Sequence, residues 1–131
     1  DSLSDEAKRY LPPLPITFQA DDDQEHLFSL MHAVGKGQGE KSFLAEAQAL
    51  KDATMGWFIA RRMQHKFLHF NGNYHSDFKK GLVPYLLEYR SGTTVKTVCS
   101  VRQETVKLLD EEHKGRADYY ICVPEDMSSS Y

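Results

Sequence analysis

Leu44, Gln48, Asp52, Met55, Ile59 and Met63 recur at helical spacing, and Phe43, Ala47, Leu50, Thr54 and Trp57 form a neighbouring stripe. Together they predict one helix from Ser42 to Met63, about 33 Å long at 1.5 Å per residue. A helix apolar over so much of its circumference belongs in a core. Gly56 interrupts the pattern. Glycine costs a helix interior about 1 kcal/mol relative to alanine, so its presence points to a close backbone approach.

Upstream, Leu27, Leu30, Met31 and Val34 predict a shorter helix over 24–34, opened by Asp21-Asp22-Asp23. Ser4 can cap a helix reaching Tyr10, and Pro12-Pro13-Leu14-Pro15 stops it. Downstream, Phe67-Leu68-His69-Phe70 reads as a short buried strand that Asn71-Gly72-Asn73 ends. Leu82, Val83, Leu86 and Leu87 predict a helix to Tyr89; Pro84 belongs in its first turn, which leaves 76–82 as loop. Thr94 to Val101 is β-branched and strand-like, Gln103 to Glu112 reads as a helix, and Asp118 to Val123 as a last strand. The order from residue 66 is then β-α-β-α-β, which predicts right-handed crossovers. The expected class is α/β: a mainly parallel sheet flanked by helices, with a helical N-terminal part. Residues 1–41 form a connector and short helical segment, 42–124 the α/β unit and 125–131 a tail.

Composition adds exclusions. The 131 residues suit one domain or part of one. Sixteen basic residues against nineteen acidic give a net charge of −3, a poor footprint for general nucleic-acid binding. No apolar run approaches the roughly 18 residues of a membrane span. Cys99 and Cys122 make no disulfide scaffold and read as free thiols.

Candidate chemistry gathers in two places. A buried strand ending in Asn71-Gly72-Asn73-Tyr74-His75 would put that turn where open α/β sheets bind ligands. Gly72 would permit a sharp turn or a close approach. An imidazole titrates near physiological pH, so His75 can be a metal ligand, a haem ligand or a general base. Tyr74 can ligate ferric iron or stack on a flat ligand. The second place is the helix face carrying Gln48 and Asp52, one turn apart. If buried, Asp52 needs a donor: a turn amide, a cation or His75. An Asp–His pair would orient the ring, as outer-shell groups do in metal sites. If the helix rolls, Asp52 stays in water.

Other motifs are weaker. The run from Gly35 to Ser42 misses a phosphate-binding loop because Glu40 stands where glycine belongs. His65 and His69 have helical metal-site spacing but fall at a predicted strand, and no H-E-x-x-H or C-x-x-C occurs. His26, His32 and His113 read as surface residues. Arg61-Arg62 and Lys79-Lys80 would attract an anionic ligand, such as haem propionates, if the fold brings them to the pocket.

In order and spacing, Ala47-Gln48-x3-Asp52-x2-Met55, then a strand and Asn71-Gly72-Asn73-Tyr74-His75, then Gly81-Leu82-Val83-Pro84-Tyr85-Leu86, resemble the C-terminal half of ChaN-like haem-binding uptake proteins. Ala117-Asp118-Tyr119 through Pro124 resembles their closing strand, so the likeness runs from about residue 43 to 124. Gly56 replaces the family's usual alanine, an extra residue separates Gly81 from Pro84, and no G-E-x-H segment is found. The family sits in a superfamily with Tiki-type proteases and erythromycin esterase-like enzymes.

The resemblance implies a haem- or iron-binding protein of bacterial iron uptake, without catalysis of its own. His75 is then the haem- or metal-binding residue with Tyr74 beside it, and Gln48, Asp52, Asn71 and Gly72 support the pocket. It implies an incomplete domain whose pocket needs the N-terminal half of the same domain, with a homodimer as a further candidate. It also implies a cell-envelope location, in the periplasm or as an outer-membrane lipoprotein, with the membrane reached only through a lipid anchor. The wider superfamily implies an alternative, a metal-dependent hydrolase in which a divalent metal replaces haem and activates water.

Overall fold

The computed structural model describes residues 3–17 and 44–128. The helix expected over 24–34 and the glycine-rich run at 35–42 lie outside the described residues. Helix α1 is one turn, Asp5–Lys8, and Ser4 caps it by accepting the Ala7 N–H at 3.2 Å.

Two helices build the core: α2, Leu44–Arg62, and α3, Leu82–Tyr89. Ile59 and Ala60 of α2 meet Leu82 and Leu86 of α3, with Met55, Tyr89 and Val95 packed around them. Burying a leucine side chain is worth about 1.5–3 kcal/mol, so this seam is a main source of cohesion. Gly56 lies at the seam: a Cβ there would be 2.9 Å from the Leu86 amide nitrogen. This is the close backbone approach that glycine signalled. The Arg90 guanidinium donates to the carbonyls of Ala60, at 3.0 Å, and Met63, satisfying groups that the end of α2 leaves open. Pro84 falls in the first turn of α3, where a missing N–H costs nothing. The Tyr85 hydroxyl donates to the Thr17 carbonyl at 3.0 Å and ties the N-terminal segment to α3.

Helix α2 is less buried than its two stripes predict. Asp52, Ala53, Gly56, Ile59 and Ala60 face inward, whereas Ala47 and Leu50 are exposed. Among the described residues, α3 covers it on one side only.

Strands β1, Val98–Gln103, and β2, Tyr119–Pro124, pair in parallel, with Val98 opposite Tyr119 and Gln103 opposite Pro124. Cys99, Val101 and Gln103 point inward and Val98, Ser100 and Arg102 outward, the alternation of a strand with one covered face. Cys99 is buried, Cys122 is half-buried, and both are free thiols.

Two expected elements are absent. The helix over 103–112 is replaced by a loop with a single 3₁₀ turn, Glu111–His113. The cause is Gln103, buried at the end of β1. Its Nε2 donates to the carbonyls of Leu108, at 2.6 Å, and Thr105, and its Oε1 accepts the Asp110 N–H at 3.3 Å. Those backbone groups are therefore unavailable to a helical ladder. The strand over 67–70 is also missing: Phe67, Leu68 and Phe70 are 47%, 77% and 85% exposed. The sheet has two strands among the described residues, and neither pairs with this run. A strand without a partner leaves its ladder groups unsatisfied. The class remains α/β, but the order is α3–β1–β2 rather than β-α-β-α-β. Among the described residues no helix is long and apolar enough to cross a membrane.

Candidate functional site

Asp52 sits on the inward face of α2 and is 3% exposed. Its Oδ1 lies 2.7 Å from Nδ1 of His75. His75 ends a 3₁₀ turn, Asn73–His75, whose own N–H donates to the Gly72 carbonyl at 2.9 Å. Of the partners a buried Asp52 required, the fold supplies the histidine. With Asp52 as a carboxylate, which can only accept, Nδ1 is the donor, and the tautomer that fits this bond leaves the lone pair on Nε2. Nε2 makes no hydrogen bond among the described residues, and the side chain is 21% exposed.

Burial pushes the Asp52 carboxyl above its ordinary value, against the hydrogen bond and charge of His75 and the charge of Lys51. The Tyr74 ring packs edge-on against the His75 ring, centroids 5.5 Å apart. Burial and the Asp52 charge push its phenol up to about 12. Partial burial, and then the His75 charge, push the His69 imidazole down.

The other site residues divide. Asn71 Nδ2 donates to the Gly72 carbonyl at 2.7 Å and to Ser76 Oγ at 3.1 Å, bracing the turn. Gln48 Oε1 is buried one turn before Asp52 and has no hydrogen-bond partner among the described residues. The backbone at Gly72 makes no turn that requires glycine. It is extended, and among the described residues nothing lies within 4 Å of where a Cβ would be. The demand falls instead on Gly81, with φ of +63°. A Cβ there would lie 2.7 Å from the His75 carbonyl oxygen and 3.2 Å from Asp52 Oδ2. Gly81 is thus a site residue that local sequence reasoning missed. Its only signal was membership of the Gly81-Leu82-Val83-Pro84 run.

The turn is not at a strand end, because the 67–70 strand does not form. It is held mainly by side chains, with one backbone bond. Asn73 Nδ2 donates to the Ser100 carbonyl of β1 at 3.0 Å. Asp77 Oδ2 accepts from Arg116 Nε at 2.9 Å and Nη2 at 2.5 Å, and the Phe78 N–H donates to the Arg116 carbonyl at 2.6 Å. Lys79 donates to Asp118 at 3.0 Å. Phe78 and Lys79 both have φ of 56°. That left-handed conformation costs an L residue roughly 1–2 kcal/mol.

The cations are mostly engaged elsewhere. Arg61 lies over the Trp57 ring at 5.3 Å and Arg62 over Phe58 at 5.9 Å, while Lys79 is paired with Asp118. His113 is not a surface residue: its Nδ1 is 3.2 Å from Arg116 Nη1, and its buried Nε2 has no hydrogen-bond partner among the described residues. His65 and His69 are exposed, and His26 and His32 lie outside the described residues. Among the described residues no three His, Cys, Asp or Glu side chains gather to hold a metal ion.

A family model described as "Haem-binding uptake, Tiki superfamily, ChaN" matches residues 1–86. The chain belongs to this family. The match shifts the likeness read from the motifs: it begins at residue 1 rather than 43 and ends at 86, before the segment compared with a closing strand. It takes in every ChaN-like motif from Ala47 through Leu86, and with them Asp52, His75 and Gly81. No curated protein and no solved structure matches the chain. In kind, the residues present fit haem. A ring-oriented histidine offers a nitrogen for iron, and Phe67, Leu68 and Phe70 offer apolar surface.

Proposed function

We propose that this ChaN-family chain binds haem as cargo at His75, with Nε2 as the iron ligand, and performs no catalysis of its own. One observation carries the reading: the 2.7 Å contact between His75 Nδ1 and the buried Asp52 carboxylate. Such a carboxylate fixes the tautomer and ring plane and makes the other nitrogen a better donor to metal. Tyr74, with its phenol pushed up to about 12, stays protonated at neutral pH. In this reading it frames the His75 ring and lies beside the iron ligand.

Gln48 and Asn71 support the pocket from the helix and from the turn. A further segment of the same domain, or a second copy, completes it. The exposed run from Phe67 to Phe70 is apolar surface for such an element to cover. The protein then works in bacterial iron uptake at the cell envelope, held by a lipid anchor.

Haemin titrated into the full chain tests the reading. The expected result is a saturable Soret shift at one haemin per chain or per dimer. A Soret band that stays that of free haemin contradicts it.

A further inference from the structure

We infer that Arg116, thirty residues beyond the end of the family match, is a positioning residue for His75, acting through the strained segment between them. This role rests on the haem-ligand reading above. Phe78 and Lys79 both hold left-handed backbone, and Gly81 beyond them carries φ of +63° against the His75 carbonyl. A segment strained at consecutive residues relaxes unless its surroundings over-determine it. Arg116 supplies that restraint from both sides of one peptide unit. Its guanidinium donates twice to Asp77, and its carbonyl accepts the N–H of Phe78. Asp77 is two residues after His75, and the pair is largely withdrawn from water, at 24% and 15% side-chain exposure. Asp118, held well below the usual carboxylate range by the Thr97 amide and then by Lys96 and Lys79, anchors the next residue along. The His75 turn is therefore fixed to α2 through Asp52 and to the β1–β2 unit through Arg116. Relaxation of the segment at Arg116 swings the ring away from Asp52.

A double-mutant cycle on the full chain tests this, with haemin affinity and the visible spectrum of the haemin-bound form as readouts. Arg116→Ala is expected to weaken haemin binding about 10- to 100-fold, as loss of outer-shell support does at metal sites. The spectrum should move toward that of the His75→Ala variant. In a His75→Ala background the same change should cost nothing further, and Arg116→Lys should restore part of the spectrum. If Arg116→Ala does not fold, Asp77→Asn carries the same expectations. Unchanged affinity, or an equal loss with and without His75, overturns the positioning role and leaves the ligand reading intact. Wild-type affinity and spectrum in His75→Ala overturn both.

Discussion

Asp52 needs a donor because burial makes an unanswered carboxylate costly, and His75 supplies one at 2.7 Å. Burial still lifts the Asp52 carboxyl above its ordinary 3.8. The folded chain therefore keeps that proton to higher pH than the unfolded chain. The cost of the buried charge is absent below 3.8 and is paid as pH rises through the raised value. Asp52→Asn removes the charge and keeps the shape, so its stability relative to wild type should improve as pH rises above 3.8. Denaturation at several pH values checks this; a difference independent of pH contradicts it. Gly81 is the opposite case, a residue defined by lack of space. Gly81→Ala puts a methyl against the His75 carbonyl and Asp52 in a left-handed backbone, and should cost about 1–3 kcal/mol with loss of haemin binding. Denaturant melts and a Soret titration of that variant measure both. The need of Asp52 for a partner was legible in the Gln48-x3-Asp52 spacing. The role of Gly81 was not, because its φ and its neighbours exist only once α2 and the turn meet.

Helix α2 was legible from periodicity, and so was the meaning of Gly56. Gly56→Ala gains about 1 kcal/mol of helix propensity but forces a Cβ into the backbone of α3. The net effect should be destabilising by about 1–3 kcal/mol, measured by chemical denaturation. A more stable variant would show that the helices part easily. The elements that misled did so for two different reasons. Phe67 to Phe70 has the composition of a strand, yet a strand is made by its neighbour. Val106, Leu108 and Leu109 have helical spacing, yet the buried side chain of Gln103 had already taken the carbonyls and amide a helix would use. The first outcome turns on a partner strand elsewhere in the chain, the second on side-chain-to-backbone bonds two to seven residues away, and hydrophobic periodicity encodes neither. Pro84 in the first turn of α3 was legible because proline restricts where a helix can begin, although the helix starts at Leu82, a residue the reading left in the loop.

At the scale of the molecule, a helical pair and a parallel strand pair share one connecting turn, and that turn carries His75. The α/β class and the parallel pairing followed from alternation of elements, although one strand and one crossover helix are missing from the order expected. The boundary of the likeness was the less legible part. The motifs from Ala47 to Leu86 drew attention to the middle of the chain, whereas the family match begins at residue 1. The central claim is that the nitrogen of His75 not held by Asp52 binds haem iron. Electron–nuclear double resonance on the haemin-loaded full chain tests it most directly. Imidazole-nitrogen couplings to iron in the wild type, lost in His75→Ala and weakened in Asp52→Ala, are the predicted result. Couplings that persist in His75→Ala, or none in the wild type, would contradict it.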